Sequence, residues 1–388
     1  MKKILSGLKT IIKLLLYRLI DFLLPVPGKI RPNTLLLVRL DEIGDYVLFR
    51  NFIEMLKRSE KYKNYSVTLV GNMAWKDLSE KLDGKFIDKF IWIDKKKFDK
   101  NLLYRYKKLK EIRSNGHEVV IAPVYSRDFF YNDSIVRIVN AKEKIGNSGN
   151  LANMKKWQKI LGDKYYTKLI PSRDEVMFEF YRNREFFENL LEEKLNINGP
   201  FIDPPDDESI IRVKGKYAVI FIGAKVTKKR WSIKNFVEIA KHLKDKYQYE
   251  IVLSGGSDVL RDASLFMELF PVIDLVGKTS LLELVNILYY ADLVLSNDSS
   301  AIHIAAALQT PRIFVIYGGI HYGRFVPYPK EITDKFHIIY HPYIENNLES
   351  YKKISNSYGY DKILNINEIT VDMVKKKIDQ ILSSQQRG

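Results

Sequence analysis

Three strand-to-helix turns in this chain gather residue types that can do chemistry. In the first, Arg39-Leu40-Asp41-Glu42-Ile43-Gly44-Asp45, an apolar strand runs into a tight glycine turn that leaves a carboxylate at a helix start. Asp45 is there either as an N-terminal cap or first-turn acid favoured by the helix dipole or as a general base projecting into an interdomain cleft; the residues alone leave both readings open. The second, Gly223-Ala224-Lys225-Val226-Thr227-Lys228-Lys229-Arg230-Trp231, concentrates four cations ahead of a helix beginning near Ser232. Such a setting attracts phosphate, although a solvated lysine-rich loop is the plainer account. The third, Ser296-Asn297-Asp298-Ser299-Ser300-Ala301-Ile302-His303, caps an apolar helix with small hydroxylated residues, and backbone donors at such a helix start can hold phosphate oxygens. His303 is either a packed core histidine or part of that site. A carboxylate, a cationic loop and a small-residue helix start together suit the displacement of a nucleoside diphosphate.

The elements that position these turns follow from the apolar pattern. Short apolar runs at 34–40, 66–72, 90–94 and 118–126 alternate with helical stretches near 45–58, 74–82, 99–115 and 128–140, and the same grammar restarts after residue 216. This predicts an α/β protein of two Rossmann-like domains with parallel sheets, whose ligand crevices lie on either side of a central cleft. The expected boundaries are a helix over 1–26, a first domain over 30–198, a linker over 199–215 that includes the acidic, proline-bearing stretch 203–208, a second domain over 216–366, and a final helix over 367–388 that could cross back onto the first domain.

Composition narrows the partners. The chain has 388 residues, 63 Lys and Arg against 47 Asp and Glu, and a formal net charge of +16. It has no cysteine, which removes disulfides, thiolate metal sites and thiol nucleophiles. None of the six histidines forms a helical pair with a glutamate between, so no metal is expected. The lysines are spread over helical faces and the first 20 residues rather than gathered in an arginine-rich tract with interleaved aromatics, so a nucleic-acid partner is not expected.

Residues 4–24 carry Leu5, Leu8, Ile12, Leu15, Leu16, Leu19 and Leu23 on one helical face and Lys9, Lys13, Tyr17 and Asp21 along another. The ionisable groups argue against a membrane-spanning helix. An amphipathic helix of this kind either lies in the interface of an anionic leaflet or packs its apolar face on the protein's own core.

On these residues the chain resembles glycosyltransferase family 9, the heptosyltransferase family of bacterial lipopolysaccharide assembly. The Arg-Leu, Ile-Gly-Asp pattern of Arg39 to Asp45 is similar to its opening signature, and residues 276–319, VGKTSLLELVNILYYADLVLSNDSSAIHIAAALQTPRIFVIYGG, resemble its donor-domain core throughout. The resemblance implies a GT-B fold, with the acceptor bound mainly by the first domain and a nucleotide sugar, commonly ADP-heptose, by the second. It implies an inverting transfer with Asp45 as general base, Lys229 as the diphosphate contact, and Asp298, Ser299, Ser300, Ala301 and His303 as the donor-site loop. The nucleotide sugar is a substrate, and neither cofactor nor metal is implied. Ser300 stands where the family often has glycine, and Gly318-Gly319-Ile320 replaces the usual Gly-Pro-Thr; these departures bear on the identity of the sugar.

The expected protein is therefore an inverting, metal-independent glycosyltransferase. It acts on a lipopolysaccharide or other lipid-linked surface-glycan acceptor and is cytoplasmic, peripheral on the inner face of the cytoplasmic membrane. The competing classes are a nucleotide-sugar epimerase or hydrolase on the same scaffold and a catalytically silent nucleotide-sugar binding protein.

Overall fold

The computed structural model describes residues 2–204, 213, 215–350 and 364–384. Residues 205–212 and 214 of the expected linker lie outside the described residues, as do 351–363 of the expected second domain and 385–388 of the final helix. The chain forms two compact units. The first comprises Met1–Glu42, Phe52–Arg173 and Arg182–Leu195, and the second comprises Ile43–Asn51, Asp174–Tyr181 and Asn196–Gly388.

The first unit is built on a parallel sheet of β1 (Thr34–Arg39), β2 (Ser66–Asn72), β3 (Lys89–Ile93), β4 (His117–Ala122), β5 (Ala141–Asn147) and β6 (Lys168–Ile170), in the order β3-β2-β1-β4-β5-β6. Leu36 of β1 stands opposite Thr68 on one side and Val120 on the other. Both faces of β1 are covered, which is why it reads as an unbroken apolar run rather than an alternating one. The second unit repeats the plan with β7 (Tyr217–Phe221), β8 (Glu250–Ser254), β9 (Ile273–Asp274), β10 (Leu293–Asn297), β11 (Ile313–Tyr317) and β12 (Phe336–Tyr340), in the order β12-β11-β10-β7-β8-β9. In each sheet the first strand of the unit lies in the middle and the strand order reverses beside it. The loops leaving β7 and β10 therefore diverge at a topological switch point, where open α/β sheets hold their ligands.

Four of these strands escape the apolar pattern. The charged first half of β5 is largely exposed, β6 and β9 are three and two residues long, and β12 is a partly exposed edge strand. The single helix expected over 45–58 is two, α2 (Ile43–Val47) and α3 (Asn51–Arg58). Arg50 and Asn51 at the break bond to Phe201: Arg50 Nη1 donates to its carbonyl at 2.7 Å, and Asn51 both donates to that carbonyl at 3.1 Å and accepts from the Phe201 amide at 3.0 Å. Segments 43–51 and 174–181, expected within the first domain, group with the second unit. The latter is tied there by the buried Arg324–Glu179 ion pair at 2.7 Å. The final helix, expected as one that could cross back, groups over its described residues Val371–Ser384 with the second unit. Val374, Ile378 and Leu382 are buried in the core of the second unit, and Asp379 accepts from His242 Nε2 and the Tyr247 hydroxyl at 2.7 Å each. Ser280 closes a capping box with Glu283 ahead of the helix Leu281–Tyr289.

The amino-terminal helix, α1 (Lys2–Leu23), docks the opposite way to the core-packing alternative. Tyr17, Ile20 and Leu24 enter the core of the first unit, whereas Leu8, Ile12, Leu15, Leu16, Leu19 and Leu23 are exposed. Among the described residues no helix is long and apolar enough to cross a membrane.

Candidate active site

The loop after β7 passes through Ala224 and Lys225 into a tight turn, Thr227–Lys229, before the helix Ile233–Tyr247. Two buried side chains hold it. Trp231 is sunk in the core and donates Nε1–H to the Ile369 carbonyl at 2.8 Å. Asn297, fully buried at the end of β10, accepts from the Trp231 amide at 2.9 Å and donates to the Ile222 carbonyl at 2.9 Å. Each bond satisfies a polar group that burial would otherwise leave unpaired at a cost of about 1–3 kcal/mol. Asn297 thus locks the two switch-point loops at a fixed spacing. Nothing in its local sequence announces this, because its partners lie 66 and 75 residues away.

The four cations of the loop divide in function. Arg230 donates Nε–H to the Ala224 carbonyl at 2.9 Å and pairs with Asp258, so it shapes the loop. Lys229 reaches across to the next loop, where its Nζ lies 2.6 Å from Asp298 Oδ2, and both side chains are largely buried. A small pocket here is lined by Lys228, Lys229 and Asp298 and by the apolar Ile316, Ile320, Leu364 and Ile366, with Gly318. A ligand that fits carries charge at one end and a flat or aliphatic body at the other.

Beyond Asp298, Ser299 caps the helix Ser300–Ala307: its Oγ accepts from the Ala301 amide at 3.3 Å and meets Ser296 Oγ at 2.9 Å. Asp298, Ser299 and Ser300 are half-buried at the mouth of this helix. Ala301 and His303 are buried beneath it. His303 Nδ1 lies 2.8 Å from the Tyr328 hydroxyl, and burial, against the opposing pull of Asp298 and with a smaller push from Lys229, holds the imidazole down at about 4. It is therefore neutral at physiological pH.

The helix Ser300–Ala307 is also the seat of α2, which carries Asp45, half-buried, in its first turn. The two meet at Gly44, where an added Cβ would lie 2.7 Å from His303 Cδ2. Glycine is thus required by the close approach of the neighbouring ring. The second unit accordingly contains Asp45, Lys229, Asp298, Ser299, Ser300, Ala301 and His303, with Asp298, Ser299 and Ser300 at the mouth of its helix and Ala301 and His303 as the support below. Tyr328 lies outside the three turns, and the supporting roles of Asn297 and Gly44 within them depend on partners that local sequence does not reveal.

The model of glycosyltransferase family 9 (heptosyltransferase) matches residues 105–352. Lipooligosaccharide heptosyltransferase 2 of Haemophilus influenzae is 29% identical over 162 residues, covering 40% of this chain and 44% of that protein. Lipopolysaccharide heptosyltransferase 3 of Escherichia coli is 26% identical over 217 residues, covering 53% and 61%. The chain thus spans about half the length of the curated relatives it matches. Among solved structures, the E. coli heptosyltransferase WaaC with ADP aligns with a TM-score of 0.66 at 18% identity over 89% of this chain and 99% of that one. At that identity the likeness is one of fold, two doubly wound units of the GT-B class.

Two outcomes follow for the support. Gly44→Ala forces a methyl group against a buried ring, so the variant melts lower by about 1–3 kcal/mol of stability and loses most of its turnover while the rest of the fold persists; circular dichroism melts and a transfer assay read both. The unfolded His303 imidazole titrates near 6.5 and the folded one near 4, so the unfolded chain takes up the proton first as pH falls. Stability present above pH 6.5 is therefore lost between about 6.5 and 4, by on the order of 3 kcal/mol for this group. His303→Gln, which does not titrate, should show a flatter dependence of Tm on pH across that window.

Proposed function

The chain belongs to glycosyltransferase family 9, the heptosyltransferases, and from that premise we propose that it moves a heptose or related sugar from ADP-heptose to a lipopolysaccharide or other lipid-linked surface-glycan acceptor. The observation that carries this reading is the Lys229–Asp298 pair at the switch point of the second sheet, in the same unit as the α2 turn that bears Asp45. The similarity to curated heptosyltransferases and to a heptosyltransferase fold described with ADP supports it.

The reaction is a single displacement. Asp45 takes the proton of the acceptor hydroxyl as that oxygen attacks the anomeric carbon; the bond from that carbon to the diphosphate breaks, the nucleoside diphosphate leaves with the electron pair, and the configuration inverts. Lys229 exchanges Asp298 for the donor's diphosphate, and the amides at the start of the helix Ser300–Ala307 add their partial positive charge. These groups supply the neutralisation that a divalent ion gives in other transferases, so the proposed mechanism is metal-independent. The apolar wall of Ile316, Ile320 and Ile366 accommodates the uncharged part of the donor. Ala301 and His303 act from beneath, keeping the loop and α2 in register. A lipid-linked acceptor puts the enzyme at the inner face of the cytoplasmic membrane, with the basic amino-terminal helix as the candidate contact.

Two variants separate the roles. Asp45→Asn should lower turnover by about 10²–10⁴-fold, the usual worth of a general base, while ADP affinity stays within about twofold; unchanged turnover would remove Asp45 from the mechanism. Lys229→Ala should weaken ADP binding by about tenfold or more in calorimetry, in keeping with loss of a charge-assisted contact, and equal affinity would assign the diphosphate elsewhere. Release of free sugar at the same rate with and without acceptor would point to hydrolysis instead of transfer.

A further inference from the structure

Helix α1 presents its most apolar face to solvent. Leu8, Ile11, Ile12, Leu15, Leu16, Leu19, Phe22 and Leu23 are all exposed, Phe22 at 85%. At about 100° per residue they fall within an arc of about 140° on one side of the helix, over about 22 Å of its length. Val26, just beyond the helix, is 88% exposed. Monomeric proteins rarely leave so continuous an apolar stripe uncovered without a use for it.

The other side of the helix is bolted to the first unit. Tyr17, Ile20 and Leu24 are in its core. The Tyr17 hydroxyl donates to the Asp99 carbonyl at 2.7 Å, and the Arg105 guanidinium lies 3.6 Å from the Tyr17 ring centre. Lys13 pairs with Asp99 and Asp21 with Arg137. By the same helical angle these anchors centre about 160° away from the apolar stripe. The stripe is therefore neither a badly packed core face nor a loose tail; it is held outward by ion pairs and aromatic contacts behind it.

Charge identifies what it meets. Lys9 and Arg18 fall on the two edges of the apolar arc, one on each side; Arg18 also donates to the Tyr165 hydroxyl at 2.7 Å, which holds its guanidinium at the rim of the first unit, while Lys9 is placed as cations are when their stems lie along acyl chains and their heads reach phosphate. Between residues 2 and 20 there are five cations and no acid, and Asp21 is consumed by Arg137. Two copies of the stripe packed face to face would align these cationic rims against each other, whereas an anionic leaflet neutralises them. No described helix is apolar enough to span, so the helix lies in the plane of the interface.

We propose that α1 is a rigid interfacial blade: its Leu8-to-Leu23 stripe inserts into the acyl boundary of an anionic bilayer leaflet while its opposite face stays clamped to the first unit. This deepens the membrane-facing part of the function proposed above and does not depend on which sugar is moved. Because the clamp is rigid, lipid binding orients the first unit on the surface instead of tethering it.

The test uses the full chain and co-sedimentation with vesicles of phosphatidylcholine alone or mixed with phosphatidylglycerol. The native chain should partition at least tenfold better onto the mixed vesicles. Deleting the helix is uninformative, since it would strip Tyr17, Ile20 and Leu24 from the core. The triple variant Leu15→Ser, Leu19→Ser, Phe22→Ser should lose at least tenfold of that binding with an unchanged melting temperature and unchanged ADP affinity, and Lys9→Glu with Arg18→Glu should abolish the preference for anionic lipid. Equal binding by the native chain and the triple variant would overturn the proposal. So would a native dimer in sedimentation velocity that the triple variant dissolves, without vesicle binding, because the stripe would then join two copies. Vesicle binding without ADP binding would leave the blade standing and sink the enzymatic reading.

Discussion

The arrangement of the second unit depends on one close approach, that of Gly44 to the ring of His303. A five-residue helix has too few internal hydrogen bonds to hold itself, so α2 takes its position from what it lies on. That support is the helix Ser300–Ala307, fixed by the Ser299 cap and by burial on a parallel sheet. His303 can serve as a seat only while neutral, since a charge at a site so dry would have to be paired or expelled. Tyr328, 25 residues further on, meets the ring through its hydroxyl. The carboxylate of Asp45 is thereby carried by the same helix whose amino end opens beside Asp298, so the proposed base and donor loop share a foundation.

A second constraint is electrostatic. A chain with a +16 formal charge could crowd its cationic loop with competing cations, yet the loop assigns them separate duties. Arg230 is spent on loop shape, while Lys229 is paired with Asp298. A paired lysine is held in one geometry and can exchange one anion for another, so the proposed donor site is organised in advance of its ligand. Asn297 makes this possible by fixing the distance between the two loops through neutral hydrogen bonds, which leave the charged groups free to respond to a ligand.

The sheets, the turns and the residues at their tips were legible because strand-to-helix transitions leave a local mark: an apolar run, a break and a capping residue. That mark places Asp45, Lys229 and residues 298–303 at such turns, while the roles proposed for them rest on the resemblance. Tertiary partners leave no such mark. The Lys229–Asp298 pair joins positions 69 apart and His303–Tyr328 positions 25 apart, and the reason for glycine at 44 lies 259 residues downstream, in a ring that only the fold brings near. The short strands β6 and β9 carried too few residues to show a period, and β5 looked charged because half of it is at the surface. The same reasoning explains why residues 43–51 and 174–181 changed allegiance: the contacts that decide it, His303 and Arg324, are made by distant side chains.

Helix α1 shows how far a period can mislead when it is read without partners. Amphipathicity establishes that two faces differ, and for a helix on a soluble domain the apolar face ordinarily goes inward. Here the opposite face goes inward because it carries the matching groups: an aromatic ring for Arg105, an acid for Arg137 and a lysine for Asp99. Ion pairs at such partly buried positions select one orientation more than they add stability, and an outward apolar stripe is tolerable only if something covers it in use. The specificity of the clamp and the exposure of the stripe are thus two sides of one arrangement, in which the anchoring residues determine that the apolar ones remain available.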